Sequence, residues 1–238
     1  DYVFPNLKDR IEDVVGIITD PPGASNMDAY HDAAHFLDRN EDVLVVILDG
    51  FGYHQYAKAI QEGYAPFLES VAPAKMAFSV YAPVTNAGLA AILTGVPPSE
   101  NGVHTRKEMD VLVPSIFEHA NKLGKSSVMV EGNIKILNLE IDPILNIDKN
   151  SNGSTDDDIR DKAIEVVDSG CNLMVVHFHG IDDSGHSYGD LSAQTLERIR
   201  TTDGYVKDLV SRWSGKVIIT ADHGMHSTLD GGSHGEFR

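Results

Sequence analysis

From about residue 42 onward, short apolar runs alternate with amphipathic stretches. Asp42–Leu48 (DVLVVIL) is almost continuously apolar and ends in Asp49-Gly50, the pattern of a strand buried on both faces that opens into a loop. Ala74–Tyr81, Ser126–Val130, Asn172–Phe178 and Lys216–Thr220 read as four further strands. Helices are expected at Ala29–Leu37, Ala65–Val71, Ala87–Thr94, Pro114–Leu123, Asp156–Val167 and Ser192–Trp213. Gly124 supplies a C-terminal stop for one of them, and Ser154, Thr155 and three aspartates supply an N-terminal start for another. The alternation predicts an α/β fold, a mostly parallel central sheet flanked by helices on both faces. In such sheets functional residues collect just past the carboxyl ends of the strands. The 238 residues are expected to form one domain, 1–238. Residues 1–40, broken by Pro21-Pro22-Gly23, read as an N-terminal extension to which no chemistry is assigned, His31 and His35 included.

Composition narrows the function classes. The hydrophobic fraction of 42% supports a buried core. Cys171 is the only cysteine, which excludes an intrachain disulfide and a thiolate metal cluster and leaves a thiol packed at the start of a strand. The formal net charge of −17 argues against a basic nucleic-acid surface, so no nucleic-acid polymer is expected as a partner. No apolar run is long enough to span a bilayer, and Asp1–Pro5 lacks the basic and apolar segments of a signal peptide. No membrane partner and a cytoplasmic location are the expectations, with export left open because the chain does not begin with methionine. The polar segment Asn146–Asp158 has Ile159 where a calcium loop closes on glutamate, and it reads as a loop.

Four short motifs carry candidate chemistry. Asp182-Asp183-Ser184-Gly185-His186 places a carboxylate and an imidazole four apart, in what reads as a glycine-containing loop, within reach of one cation. Thr220-Ala221-Asp222-His223-Gly224-Met225 puts an adjacent Asp and His at a strand end, where Gly224 lets the chain turn away. Gly231-Gly232-Ser233-His234-Gly235 holds a histidine in a turned loop. Thr85, between Pro83 and the apolar run Ala87–Thr94, has the ordinary reading of a helix N-cap. A helix N-terminus also attracts phosphate, and a hydroxyl held there beside a metal becomes a nucleophile.

Taken jointly and in order, Asp49-Gly50, Thr85, Asp182-x-x-Gly-His186, Asp222-His223-Gly224-Met225 and His234-Gly235 resemble the alkaline phosphatase superfamily, in particular its nucleotide pyrophosphatase and type I phosphodiesterase branch. The resemblance implies an alkaline-phosphatase-like fold and two divalent metal ions, zinc or alternatively manganese. Asp49, Thr85, Asp222 and His223 would hold one ion, with Thr85 also the nucleophile. Asp182, His186 and His234 would hold the other. The implied reaction is cleavage of a phosphodiester or nucleotide pyrophosphate bond through a phospho-threonine, with a small-molecule phosphate ester or phosphonate as substrate. Three alternatives stay open: a phosphomonoesterase or phosphonate hydrolase of the same superfamily, a mutase or transferase using the same metals, and a metal-dependent binding domain without turnover.

The chain departs from the branch's pattern in Gly95-Val96-Pro97-Pro98-Ser99-Glu100-Asn101-Gly102, where Asn101 stands at the usual histidine. Arg106 falls near the position of a phosphate-binding asparagine, and its guanidinium could grip two phosphate oxygens. Asn86, beside Thr85, is a second candidate oxygen binder. Lys135, after the strand end Glu131-Gly132-Asn133-Ile134, is a candidate for a substrate carboxylate, by likeness to phosphonoacetate hydrolases. His177 and His179, two apart on one strand face, are either buried structural histidines or partners that orient the metal ligands. Relatives usually continue into another strand beyond the position of Arg238. A chain ending there would tether the His234 loop on one side only, and a weaker second metal site is the expectation.

Overall fold

The computed structural model describes residues 23–71, 73–228 and 231–236. In chain order the elements are α1 (Asp28–Asp38), β1 (Val43–Leu48), α2 (Tyr53–Gln61), α3 (Pro66–Val71), α4 (Thr85–Thr94), α5 (Pro98–Asn101), α6 (Ile116–Lys122), β2 (Ser127–Glu131) and β3 (Ile144–Leu145). They continue with α7 (Asp156–Ser169), β4 (Leu173–Phe178), α8 (Gly180–Tyr188), α9 (Ala193–Val210), β5 (Lys216–Thr220), β6 (Gly224–Thr228) and β7 (Gly231–Glu236). Strands β1 to β5 form one sheet in the order β3-β2-β4-β1-β5, every pairing parallel. A separate antiparallel hairpin, β6-β7, follows it.

The two faces of β1 explain its unbroken apolar run. Val43, Val45 and Ile47 pack with Ala33 and Leu37 of α1, Leu89 and Leu93 of α4 and Phe117 of α6. Leu44, Val46 and Leu48 pack with Ile159 of α7, Ile199 and Val206 of α9 and Leu68 of α3. Successive side chains point to opposite faces, so a strand covered by helices on both sides must be apolar at every position. Burying each such side chain contributes roughly 1.5–3 kcal/mol relative to exposure. The α/β architecture with helices on both faces is therefore as expected.

Several elements differ from expectation: α2, α5 and β3 were not anticipated, and Gly231–Gly235, read as a turned loop, lies in strand β7. Ala74–Tyr81 is not a strand of the sheet. Among the described residues its one ladder contact is a parallel bridge between Phe78 and Ser25, fixed by Asn26 N–H to Phe78 O at 2.8 Å and Phe78 N–H to Ala24 O at 2.9 Å. The glycine-containing segment around Asp182 is not a loop but helix α8, and Gly185 is there because its space is taken: a Cβ would lie 2.2 Å from Met225 Sδ. Within residues 1–40, helix α1 buries Ala29, Ala33 and Leu37 in the core. Pro21 and Pro22 lie outside the described residues. No helix among the described residues is long and apolar enough to cross a membrane.

Candidate metal centre

Four adjacent strands end in ionisable side chains at the same edge of the sheet. Glu131 closes β2, His177 lies in the last turn of the β4 ladder with His179 just beyond, Asp49 follows β1, and Asp222-His223 follow β5. The register aligns them: His177 is opposite Ile47, and Asp49 N–H continues the ladder to Phe178 O at 2.9 Å. This is the carboxyl edge at which parallel α/β sheets bind ligands.

Gly50 locks three of the predicted ligands together. Its φ of +68° is one that a residue with a side chain rarely adopts, and an added Cβ would lie 2.6 Å from Asp182 Oδ1. Its N–H donates to Asp222 Oδ1 at 3.1 Å. Asp49-Gly50 thus turns so that Asp182 and Asp222 can close on Asp49 from two sides. Asp222 is held in turn from outside the sheet, its carbonyl accepting from Ser79 Oγ and from Asn26 Nδ2.

Thr85 is the first residue of α4, and Val84 is the N-cap, without a side-chain cap bond. The threonine hydroxyl is therefore not spent as a cap, contrary to the ordinary reading of its position. It points instead to Asp49 Oδ1 at 3.5 Å and His223 Nε2 at 3.4 Å, while His223 Nε2 and Asp49 Oδ1 are 3.3 Å apart. Ligands sharing an ion at 2.0–2.2 Å in tetrahedral geometry sit about 3.3–3.6 Å from each other. Asp222 Oδ2 is buried beside them with no hydrogen-bond partner, an unusual expense for a carboxylate. Asp49, Asp222 and His223 place their ligand atoms within 4.8 Å of one another, all buried. This group fits a cation well.

The second predicted group is only partly in view. Asp182 and His186 face each other on α8, His186 Nε2 to Asp182 Oδ2 at 3.3 Å, because residues four apart share a helix face. His234 lies on β7 opposite Met225, and β7 packs against α8. The backbone thus puts the strand of His234 next to the helix of Asp182 and His186; the position of its side chain lies outside the described residues.

The three substrate candidates sit differently. Asn86 is buried, and its amide donates to Glu108 O at 3.0 Å and Ile136 O at 3.2 Å. Both N–H groups are committed to holding two loops over α4, which leaves it no donor for a phosphate oxygen. Lys135 Nζ is 2.7 Å from Asp142 Oδ1 at the surface, so its charge is neutralised there. Arg106 is exposed, on the loop that leads from α5. Asn101 is buried and bridges its own turn, donating to Val96 O at 2.8 Å and accepting from Val103 N–H at 2.9 Å. A cavity of about 410 Å³ opens beside His179 and Asp183, lined also by Asn133, Ser154 and Thr155.

Glu131 was not singled out from sequence, although the signal was there: like Asp49, it is an acidic residue closing an apolar strand run. It is fully buried between His177 and His179. Burial alone raises its pKa, but the charges and hydrogen bonds of the two histidines outweigh that and bring it to about 2. Asp49 likewise is raised by burial, yet hydrogen bonds from His179 and His223 hold it well below the usual carboxylate range. Asp222 has too little of such help, and burial together with the charge of Asp49 pushes it to about 7. His223 loses by burial and gains more from Asp222 and Asp49, reaching about 10. Protons thus do the neutralising that cations could do here. Cys171, by contrast, is an inert thiol: burial and Asp42 push it to about 11.

A family model of the Metalloenzyme superfamily matches residues 41–236. The chain belongs to this superfamily. Its fold is that of alkaline-phosphatase-like proteins, as two solved structures show at 18% identity. Phosphonoacetate hydrolase from Sinorhizobium meliloti 1021, in complex with phosphonoacetate, superposes with a TM-score of 0.60 over 78% of this chain and 57% of that one. Murine ectonucleotide pyrophosphatase/phosphodiesterase 5, in an inactive threonine-to-alanine form with AMP, gives 0.58 over the same shares. Two curated relatives match locally. GPI ethanolamine phosphate transferase 1 of Gibberella zeae is 40% identical over 71 residues, 27% of this chain and 7% of that protein. The 2,3-bisphosphoglycerate-independent phosphoglycerate mutase of Cereibacter sphaeroides is 34% identical over 83 residues, 32% of this chain and 16% of that protein. The chain therefore spans little more than half of the similar structures and a small part of the curated relatives.

Proposed function

We propose that this superfamily member is a metal-dependent phosphoester hydrolase of phosphodiesterase or nucleotide pyrophosphatase type, acting through a phospho-threonine on Thr85. The observation that carries the reading is the Thr85 hydroxyl, uncapped at the start of a ten-residue buried helix and aimed between Asp49 and His223. In the similar pyrophosphatase/phosphodiesterase, a threonine-to-alanine change accompanies the inactive form. Asp49, Thr85, Asp222 and His223 would hold one divalent ion, and Asp182, His186 and His234 a second, zinc or manganese by the mixed carboxylate and imidazole donors. Such ions, when bound, lower the pKa of a hydroxyl and neutralise charge on attacking and leaving oxygens.

The chain's own residues supply the rest. The free N–H groups at the start of α4 face the phosphoryl oxygens, where the helix dipole favours negative charge. Thr85 Oγ forms the bond to phosphorus as the bond to the leaving oxygen breaks, and the threonine proton passes to the leaving alcohol. Water then cleaves the phospho-threonine and restores the hydroxyl.

Initial rates on methyl p-nitrophenyl phosphate, p-nitrophenyl phosphate and phosphonoacetate, with zinc or manganese added, test this reading. The diester should be the best substrate, and Thr85→Ala should abolish its turnover. Equal turnover by Thr85→Ala would remove the nucleophile, and phosphonoacetate as best substrate would remove the substrate class. Transfer to an acceptor is a second reading, favoured by the local match to an ethanolamine phosphate transferase. An added alcohol that is converted to its phosphate ester in preference to water would establish it.

A further inference from the structure

The geometry points to an additional cation site on the far side of Asp49, formed by Asp49 Oδ2, His177 Nε2 and His179 Nδ1, with Glu131 as the carboxylate that orients both histidines. It takes a nitrogen-preferring divalent transition ion such as zinc. The site shares Asp49 with the ligand sets proposed for catalysis but uses its other oxygen: Asp49 Oδ1 faces Thr85 and His223, whereas Oδ2 faces His177 and His179.

The argument starts from the four ring nitrogens. His177 Nδ1 is on Glu131 Oε2 at 3.0 Å, and His179 Nε2 is in short contact with Glu131 Oε1. One buried carboxylate therefore takes one N–H from each ring. The remaining nitrogens, His177 Nε2 and His179 Nδ1, both turn to Asp49 Oδ2, at 3.6 Å and 3.1 Å. A histidine that ligates a metal almost always gives its other N–H to a carboxylate or carbonyl, and here a single glutamate does this for two. Ligands sharing zinc at about 2.0–2.1 Å in tetrahedral geometry lie about 3.3 Å apart, a value the two distances bracket. All three candidate ligand atoms fall within 4.8 Å of one another.

A second observation is independent of that spacing. His177 is fully buried, and its Nε2 has no hydrogen-bond partner. A fully buried imidazole nitrogen without a hydrogen bond is costly, and an ion between it and Asp49 would relieve that cost. The site has access as well. His179 lines the cavity of about 410 Å³, so water can complete the coordination and the ion has an entry path. With two histidine nitrogens and one shared carboxylate oxygen, the donor set suits zinc and its transition-metal neighbours rather than magnesium or calcium.

Anomalous diffraction at the zinc edge on the protein soaked in excess zinc tests the inference, paired with metal counting by mass spectrometry after desalting. A peak is expected between Asp49 Oδ2 and the two histidines, distinct from a peak at Asp222-His223. His179→Gln should remove the first peak, lower the count by one and keep the second. Glu131→Gln should weaken zinc at the first position by 10–100-fold, which covers the case in which His179→Gln fails to fold. Wild-type crystals with the Asp222-His223 peak and none at His177-His179 would overturn the inference, as would a peak there that His179→Gln leaves unchanged. Hydrolysis is not the readout, so loss of the proposed activity with this peak present would refute only the functional reading.

Discussion

Gly88→Ala separates local helix preference from the packing that positions the nucleophile. Gly88 lies in the first turn of α4, three residues after Thr85, and nothing about its backbone requires glycine. In an isolated helix the change to alanine would stabilise by about 1 kcal/mol. Here the new Cβ would lie 2.4 Å from Asp222 O, 2.8 Å from its carbonyl carbon and 3.0 Å from its Cβ. That falls about 1 Å short of ordinary contact, and the obstacle is backbone that cannot rotate away. Neither side yields easily: α4 is buried along almost its whole length, and Asp222 O is held by Ser79 and Asn26. Overpacking of this kind costs roughly 1–3 kcal/mol, so the variant should melt below wild type despite the better helix residue. A shift of that size between Thr85 and Asp222-His223 should also lower kcat/KM on a phosphodiester by on the order of 100-fold. Thermal unfolding and initial rates, both with metal present, are the assays. A raised Tm with unchanged kcat/KM would show that α4 and the Asp222 strand end are not in fixed contact, and would refute the close approach as the reason for glycine.

The metal-free protein should be most stable at about pH 4.5. Glu131 is depressed from 4.5 to about 2, so its contribution is lost as pH falls below about 4.5; Asp222 is raised from 3.8 to about 7 and His223 from 6.5 to about 10, so theirs is lost progressively as pH rises from each ordinary value through the raised one. Chelator-treated protein melted from pH 4 to 10 should show this fall on the alkaline side, and zinc should flatten it; a metal-free Tm that climbs steadily to pH 10 would contradict the assignment. Asp203 of α9 accepts from Phe67 N–H at 3.0 Å and Leu68 N–H at 2.8 Å, the otherwise unpaired donors that open α3. Asp203→Ala should destabilise by about 2 kcal/mol in urea unfolding, and a change within error would mean that water replaces it. Asn86→Ala should reduce stability by about 1–3 kcal/mol through the two loop carbonyls it leaves, with KM for a diester changed little; a large rise in KM at unchanged stability would restore it as a substrate ligand.

Much was legible without coordinates because it is written in local chemistry. A strand covered on both faces is almost continuously apolar, so β1, β4 and the apolar middle of β5 announced themselves, and an ionisable residue directly after such a run announced the functional edge. Asp49, Asp222 and His223 followed from that rule together with the order of the motifs, as did Thr85 from its place before an apolar helix. What the sequence could not convey was the spatial order of the strands. The parallel sequence β3-β2-β4-β1-β5 sets Glu131, His177, Asp49 and Asp222 side by side though they are separated by up to 173 residues in the chain, and only that adjacency turns two strand histidines and an unremarked glutamate into one buried cluster. The same holds for the reassigned residues. Lys135 and Asn86 have the right chemistry for an anion, but two carbonyls take up both N–H groups of Asn86, and Lys135 is paired with Asp142 at the surface. Residue type determined which groups could bind a cation or a phosphate; packing decided which of them were left available to do so.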